Sequence, residues 1–326
     1  MVRFKILVLF LIMTSRLFAE GFDSSYVKQF DHKLTLKGDL SSKTLSFSLM
    51  SAVPDSTSRT VNYLPNVNSS FGFGFSYKFI SISISFKIPK SDSLMIKRGS
   101  TKYTDIQMSI YKRKFFFNAG FKTYKGFYIS NPQDIYQGWS DSLPNPHRAD
   151  LEYDAIGLQA CYLLNGKKYS LKSSFNYTEQ QQKSASSFML LGDLSYIGVK
   201  GDSCIIPPSQ NSSYGNLKGL SKVEFLSFVV SAGFTYNFII QKKIFINPML
   251  FSGIGTQLRG FQADSSSITT TSMFGLLNFK LSTGYNGNRF YIGFVFDALN
   301  YLMNAKEINF SSKNTYYTLN LGVRLF

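Results

Sequence analysis

The sequence predicts an all-β fold, an antiparallel transmembrane β-barrel of about 12 strands, within a range of about 10 to 14. Apolar residues alternate with small or polar residues in segment after segment, which is the period of a β-strand with two different faces. Beyond the N-terminal leader, no stretch reaches the roughly 18 consecutive apolar residues of a membrane helix. Short turns also alternate with long loops along the chain, and this pattern is typical of barrels that cross a membrane.

The first element is a leader, and residues 1–19 have the layout of a secretory signal peptide. A basic start precedes an apolar run over residues 6–13, and a small-residue cleavage site ends at Ala19. We expect residues 20–326 to form a single barrel domain after export. Removal of the three basic residues of the leader lowers the formal net charge from +16 to +13. For an exported protein this basic balance favours anionic lipid surfaces over nucleic acid.

The clearest hairpin lies at residues 71–88, which read FGFGFSYKFISISISFKI. Phe, Tyr and Ile alternate there with Gly, Ser and Lys. If residues 79–80 form the tip of the turn, Phe75 lies opposite Ile84, and all the large apolar side chains share one face. Before this hairpin, residues 31–50 predict two short strands separated by Gly and Asp.

Two further hairpins follow in the sequence. Residues 103–124 turn at Arg113-Lys114, so that Ile110 opposes Phe117. Residues 151–177 turn at Asn165-Gly166, a strong hairpin signal because both turn positions require positive φ. This register pairs Tyr162 with Tyr169, Ala160 with Leu171 and Ile156 with Phe175.

The rest of the chain supplies the remaining strands. Residues 184–198 alternate as well, and we assign them to an extension of strand 167–179 or to an outer hairpin. The last predicted strands are residues 223–240, 244–258, 273–285, 290–296 and 316–326, with Leu281 opposite Phe294 and Phe279 opposite Phe296.

The connections predict where the barrel sits. Tight turns lie near Phe79, Arg113, Asn165, Lys242 and Gly287, and longer loops lie at 89–101, 128–149, 199–220, 259–267 and 300–312. Barrels of the cell outer membrane have short periplasmic turns and long outer loops, so we expect both termini in the periplasm. Closure of the ring leaves no unpaired strand edge in lipid. The terminal Phe326 resembles the last aromatic residue of barrels delivered to the outer-membrane assembly machinery, although it is out of phase with the apolar residues before it.

Several motifs suggest a family. They are YLPN (63–66), FGFGFSYKF (71–79), YKGFYISNP (124–132), RADLE (148–152), QQQKSASSF (180–188) and GYNGNRFYIG (284–293). Together they resemble the domain-of-unknown-function family 4421 (DUF4421). The resemblance implies a secreted outer-membrane β-barrel protein of Bacteroidota, and it brings no catalytic residues.

One candidate ligand site is a carboxylate row at the outer rim. Asp150, Glu152 and Asp154 project from one side of an extended strand, next to Arg148. Three carboxylates there can bind calcium or a basic group. The alternative is a solvated strand end whose charge Arg148 and nearby lysines balance.

A second candidate is the unusually polar run at residues 180–187, which Glu179 precedes. Glu179, Gln181 and Lys183 belong either to a polar plug or to a binding loop in the mouth of the barrel. The alternative is a hydrated extension of a strand.

Residues typical of catalysis are scarce. The two histidines are His32 and His147, and Arg148-Ala149 after His147 does not fit the His-x-Ser pattern of an outer-membrane phospholipase. We therefore predict no catalytic residue, no metal ligand set and no cofactor. Cys161 and Cys204 can pair in an oxidising compartment, but the predicted topology places them toward opposite ends, which favours free thiols.

The sequence thus favours an integral outer-membrane barrel that acts in passive transport or as a structural surface protein. Expected partners are outer-membrane lipids, lipopolysaccharide and the barrel assembly machinery, not nucleic acid. Two alternatives stay open: a membrane enzyme acting on lipid or lipopolysaccharide, with His147 as its base, and a soluble periplasmic β-protein.

Overall fold

The structure, a computed structural model, describes residues 21–30, 32–51, 59–67, 69–264, 266–302 and 308–325. The predicted signal peptide at residues 1–19 and the terminal Phe326 lie outside these ranges. Within them, no helix is both long enough and apolar enough to cross a membrane.

Fifteen strands and four short helices make up the described chain. The strands are β1 (Val27–Gln29), β2 (Leu34–Ser51), β3 (Val61–Leu64), β4 (Ser69–Tyr77), β5 (Ile80–Lys87), β6 (Lys102–Tyr111), β7 (Phe115–Ile129), β8 (His147–Leu163), β9 (Glu179–Gln181), β10 (Ala185–Lys200), β11 (Lys222–Ile240), β12 (Ile244–Gln262), β13 (Ser267–Asn286), β14 (Phe290–Leu302) and β15 (Ile308–Leu325). The helices are α1 (Asp92–Arg98), α2 (Pro132–Ile135), α3 (Lys172–Phe175) and a 3-10 helix (Pro208–Leu217).

All strands except β1, β3 and β9 form the wall of a closed antiparallel barrel of twelve strands. Each wall strand pairs with its neighbours, and β15 pairs with β2 from Leu325 opposite Leu34 to Ile308 opposite Ser51. The wall strands β4, β5 and β6 are short. Strand β3 completes the wall beyond them by pairing with the far ends of β2 and β7. The predicted fold class and strand number are confirmed.

The outer surface of the barrel carries an apolar belt that runs around the whole perimeter. Every wall strand contributes exposed side chains to it, for example Leu40, Phe73, Ile84, Met108, Phe121, Leu158, Leu190, Phe228, Leu250, Leu277, Phe294 and Leu319. Contiguous apolar surface of this extent is unfavourable in water, whereas it matches the hydrocarbon region of a bilayer. The alternation in the sequence therefore marks the outward face of each strand.

Predicted registers are confirmed in one hairpin and shifted in two. Ile110 pairs with Phe117, as expected. In the first hairpin, however, the turn lies at residues 78–79 and Phe75 pairs with Ile82. Leu281 likewise pairs with Phe296, and Phe279 with Ala298. Because side chains alternate with a period of two, a shift of two residues keeps the same face outward.

The predicted strands near Gly38 and at residues 151–177 need correction. Strand β2 runs without interruption through Gly38-Asp39. Strand β8 pairs with β10, so that Ala160 lies opposite Gly192 and Ile156 opposite Tyr196. Residues 167–179 leave the wall instead of pairing with β8, and neither Asn165 nor Gly166 has positive φ. Residues 185–200 supply the missing wall strand, between β8 and β11, so the assignment of residues 184–198 to an extension or to an outer hairpin is wrong.

The two ends of the barrel differ, and both are filled. At the turn end, four tight turns surround residues 22–30 and 164–184, which we call the plug. At the loop end, a buried apolar cluster that we call the cap combines wall side chains such as Phe47 and Tyr153 with β3 and the 201–221 loop. Phe47 stacks on Tyr63 with ring centroids 4.9 Å apart, and the Tyr63 hydroxyl donates to the Ile205 carbonyl.

Candidate functional site

A polar cavity of about 510 Å³ lies in the lumen between the cap and the plug, and we call it the chamber. Inward-facing side chains of the wall line it. Its charged members are Lys37, Asp39, Asp105, Lys122, Asp193, Lys280 and Asp297. Serine, asparagine and glutamine side chains lie among these charges, and apolar side chains such as Phe116, Phe251 and Leu276 complete the lining. The charged and polar part of the lining is compatible with water and small polar solutes.

The chamber exists because β4 and β5 present small residues to the lumen. Their inward positions include Gly72, Gly74, Ser83 and Ser85, while their phenylalanines and isoleucines point outward. A Cβ atom at Gly72 would lie 2.6 Å from the carboxylate oxygens of Asp39. Larger side chains here would therefore fill the space that the chamber occupies.

The first of three clusters of charged side chains in the chamber is formed by residues of β8, β10, β13 and β14. The Lys280 ammonium is 3.0 Å from the Asp297 carboxylate, which also accepts a hydrogen bond of 2.7 Å from the Asn278 amide. The Asp193 carboxylate accepts a 2.7 Å hydrogen bond from the Gln159 amide. The charges are thus stabilised by neighbours across adjacent strands.

The second cluster of charged side chains faces the lumen from β6, β7 and β15. The Asp105 carboxylate accepts hydrogen bonds of 3.0 Å from the Tyr103 hydroxyl and the Gln107 amide. The Lys122 ammonium donates to the Tyr316 hydroxyl at 3.1 Å. These side chains are fixed by their partners, so the charged part of the chamber lining is pre-organised.

The third cluster of charged side chains is an ion pair between two residues of β2. The Lys37 ammonium lies 3.6 Å from the Asp39 carboxylate, which accepts a 3.2 Å hydrogen bond from Ser41. All three lysines and four aspartates of the chamber are therefore held in charge pairs or hydrogen bonds.

Glu179 ties the plug to the barrel wall. Its fully buried carboxylate is 3.1 Å from Arg113, in the turn between β6 and β7, and 3.2 Å from Lys172 on α3. The Ser170 hydroxyl donates to the same carboxylate at 2.5 Å. Two cations compensate one buried anion, which makes Glu179 the electrostatic centre of the plug.

The other predicted residues of the polar run also belong to the plug. The Gln181 amide donates to the Lys168 carbonyl at 2.6 Å, and its oxygen accepts from the Ser170 backbone at 2.9 Å. Lys183 is exposed, with its ammonium 5.3 Å from the centre of the Tyr26 ring. Strand β9 pairs with β1, so the N-terminal segment and the polar run form one unit.

The plug is also anchored by the strands on the far side of the lumen. Asn286 donates to the carbonyls of Ser173 and Glu179 at 2.8 and 2.9 Å. Arg324 donates to the Tyr177 carbonyl at 2.7 Å. The Tyr177 ring stacks on Tyr291 with centroids 4.0 Å apart. The plug is therefore held by directed contacts around its circumference.

The predicted rim residues lie at the opposite end and do not form one pocket. Arg148 makes a bidentate pair with Asp150, at 2.9 and 2.8 Å, and donates to the Cys204 carbonyl at 2.7 Å, which fixes the 201–221 loop. Glu152 faces outward between Lys125 and Lys200, at 3.6 and 3.3 Å. Asp154 occupies the next outward position of β8. The seven predicted ligand residues are thus divided between the two ends of the barrel.

His147, Cys161 and Cys204 do not line the chamber. The His147 ring nitrogen lies 3.3 Å from the Lys97 carbonyl, at the end of α1. Both cysteines are free, with Cys161 buried in the wall and Cys204 half-buried in the loop. Burial raises the pKa of the Cys204 thiol above its usual value. Within the part of the chain that the structure describes, no group of three or more His, Cys, Asp and Glu side chains is placed to hold a metal ion.

Sequence reasoning missed the chamber residues as a site, although a signal was available. Lys280 lies between the apolar Phe279 and Leu281, and Asp193 lies between Gly192 and the apolar Leu194. A charge at an inward position of a spanning strand requires a polar lumen, because lipid does not accommodate it.

Solved structures of outer-membrane proteins resemble this chain at low sequence identity. The outer membrane protease OmpT from Escherichia coli is 8% identical, with a TM-score of 0.34 over 91% of this chain and 97% of that chain. An outer membrane channel from Pseudomonas putida F1 is 10% identical, with a TM-score of 0.37 over 89% and 95%. The toluene transporter TodX from P. putida is 6% identical, with a TM-score of 0.31 over 90% of both chains. Comparison with curated proteins gave no match.

A family model matches nearly the whole chain. The model is described as "Domain of unknown function (DUF4421)", and the match covers residues 22–325. It therefore includes the plug, all twelve wall strands and the cap. The chain belongs to the DUF4421 family.

Proposed function

We propose that this protein is an integral outer-membrane barrel that gives small polar solutes a passive route, closed at rest by the plug. The continuous apolar belt supports the membrane location, because a soluble β-protein would bury such side chains in a core. The turn end then faces the periplasm and the loop end faces outward. Outer-membrane lipids, lipopolysaccharide and the assembly machinery are the partners that this location implies.

The chamber is the single observation that carries the transport proposal. A barrel with a purely structural role can fill its lumen with side chains. Here the lumen keeps a cavity of about 510 Å³ whose charges are already held in ion pairs or hydrogen bonds. Charges that have partners keep the space hydrated without a strong attraction for one ion, which favours passage of a solute over its retention.

In this proposal the barrel opens at the turn end, by movement of the plug. Opening the cap would expose the buried apolar side chains of its cluster to water, at about 25 cal/mol for each Å² exposed. The plug also buries apolar side chains against the wall, around Tyr169 and Leu171 and around Tyr177, but each of these clusters is smaller than that of the cap. Its other contacts are hydrogen bonds and ion pairs, whose groups water can solvate after displacement. Movement of the plug is therefore the less costly of the two openings.

Conductance across planar lipid bilayers tests the proposal. Wild-type protein should show rare openings, because both ends are filled. Glu179→Gln keeps the size of the side chain but leaves Arg113 and Lys172 without their anion, so the open fraction should rise about tenfold or more. Glu152→Gln, which weakens ion pairs on the outer surface, is the matched control and should behave like wild type.

Folding must be verified for each variant by the change in gel migration on heating. If folded wild-type protein and folded Glu179→Gln protein both fail to conduct, the transport role is refuted and a structural surface role replaces it. Release of the native protein by osmotic shock without detergent would refute the membrane location itself.

A further inference from the structure

Positive charge is concentrated at the turn end of the barrel. The four tight turns are residues 78–79, 112–114, 241–243 and 287–289. Each contains at least one lysine or arginine, and none contains an acidic residue. The pattern repeats at separate places on the perimeter, so it is a property of the whole rim.

The imbalance extends to the other side chains at this end. Apart from Arg113 and Lys172, which pair with Glu179, the basic residues that are exposed or partly exposed here are Lys28, Lys33, Lys78, Lys112, Lys114, Lys167, Lys168, Lys183, Lys242, Lys243 and Arg289. Among the described residues, the acidic side chains at this end are Asp23 and the buried Glu179. The loop end is mixed, since it also carries Asp92, Asp134, Asp141, Asp150, Glu152, Asp154, Asp202, Glu224 and Asp264. The excess positive charge of the protein therefore faces one side.

Four of these cations lie next to aromatic rings on the outside of the barrel. The pairs are Lys112 with Phe79 at 4.0 Å, Lys78 with Tyr77 at 5.2 Å, Arg289 with Phe290 at 5.5 Å and Lys114 with Tyr162 at 6.0 Å, measured to the ring centroid. Tyr77, Phe79 and Phe290 are exposed at the edge of the apolar belt. An aromatic ring at this level reaches hydrocarbon, and the adjacent cation lies at the height of lipid phosphates.

We propose that the basic–aromatic rim, defined as Lys78, Lys112, Lys114 and Arg289, binds the phosphate groups of anionic phospholipids in the leaflet at the turn end. This inference rests on the membrane location in the proposed function. Each cation is placed beside the barrel, where a lipid headgroup packs against the wall. An acidic polymer in the periplasm would instead meet the exposed lysines of the plug, Lys28, Lys167, Lys168 and Lys183, which belong to the segments that the turns surround.

Lipid selectivity in reconstituted membranes tests the inference. The protein is placed in phosphatidylcholine bilayers with spin-labelled phosphatidylglycerol or spin-labelled phosphatidylcholine, and electron paramagnetic resonance measures the immobilised lipid fraction. One favourable contact between a cation and an anionic lipid corresponds to a preference of about fivefold for phosphatidylglycerol. High salt should reduce this preference, because the rim cations are partly exposed.

Two charge-matched variants separate the rim from the plug. Conversion of Lys78, Lys112, Lys114 and Arg289 to Gln should bring the preference close to one. Conversion of Lys28, Lys167, Lys168 and Lys183 to Gln removes the same charge from the same end and should leave the preference unchanged. Both variants must show the same heat-dependent shift in gel migration as wild type.

Each contrary outcome has a distinct meaning. Equal immobilisation of the two lipids by the wild-type protein would overturn the inference and leave the barrel in the membrane. Loss of selectivity in the plug variant rather than the rim variant would also overturn it, and would favour an acidic polymer as partner. Absence of any immobilised lipid would instead overturn the proposed membrane location.

Discussion

Arginine on the outer face of β4 should destabilise the barrel by an amount that depends on depth. Phe73 and Phe75 both point outward, four and two residues before the end of the strand at Tyr77. A rise of about 3.3 Å per residue and a tilt of about 40° give roughly 2.5 Å of height per residue. Phe75 then lies about 5 Å and Phe73 about 10 Å from the strand end, in a belt about 25 Å tall.

Phe73 is therefore close to the bilayer midplane, opposite Ile84. Phe73→Arg should reduce the free energy of unfolding by about 2–4 kcal/mol, as measured for arginine at the midplane of other barrels. Phe75→Arg should cost about half as much, because its guanidinium can reach the interface. Ser42→Arg, at an exposed outward position near the loop-end edge of the apolar belt, is the control. Because it removes no apolar side chain and its guanidinium can reach the interface, it should cost about 0–1 kcal/mol.

Equilibrium unfolding by guanidinium chloride in phospholipid vesicles measures these differences. Gel migration without heating gives an independent measure of the folded fraction. The reasoning fails if Phe73→Arg unfolds at the wild-type denaturant concentration. It also fails if Ser42→Arg is as damaging as Phe73→Arg, since depth would then have no effect.

Three other predictions concern the plug and the cap. Gly293→Ala should lower the free energy of unfolding by about 1–3 kcal/mol, because the new methyl group meets the buried Tyr177 hydroxyl; Gly192→Ala, with open space around its Cβ, is the control in the same denaturant titration. Arg324→Met should cost about 3 kcal/mol or more by leaving buried carbonyl acceptors unpaired, and retention of the wild-type midpoint would contradict this. Cys204 should react slowly with maleimide at neutral pH and faster as pH rises, because burial raises the pKa of its thiol and keeps it protonated; a rate equal to that of a free thiol would contradict the burial.

The alternation in the sequence was sufficient to identify the outward faces, because facing depends only on a local period of two. It could not determine which segment joins the wall after β8. Residues 167–179 alternate around Tyr169, Leu171 and Phe175, yet their buried Ser173 and Ser174 are hydrogen-bonded by asparagines of distant strands. Those partners lie more than 60 residues away. Local periodicity contains no information about such contacts.

The candidate site shows the same limit. Glu179 was identified as unusual because it begins a polar run, but its partners Arg113 and Lys172 come from a turn and from a helix that the sequence suggested to be a strand. The carboxylate row at Asp150 was predicted either to bind a cation or to be balanced by Arg148 and nearby lysines. Asp150 pairs with Arg148, which also fixes the 201–221 loop, so this pair is part of the cap's support. Composition and spacing indicate charged residues, and only the closed ring shows which charges share the lumen.

The position of Arg324 has a consequence for the order of assembly. This side chain lies on β15, the strand that completes the ring with β2, and its guanidinium holds the backbone of Tyr177 in the plug. A barrel in which β15 has not yet paired with β2 therefore lacks the hydrogen bond from Arg324 to the plug. We therefore expect the plug to reach its final position only when β15 has paired with β2.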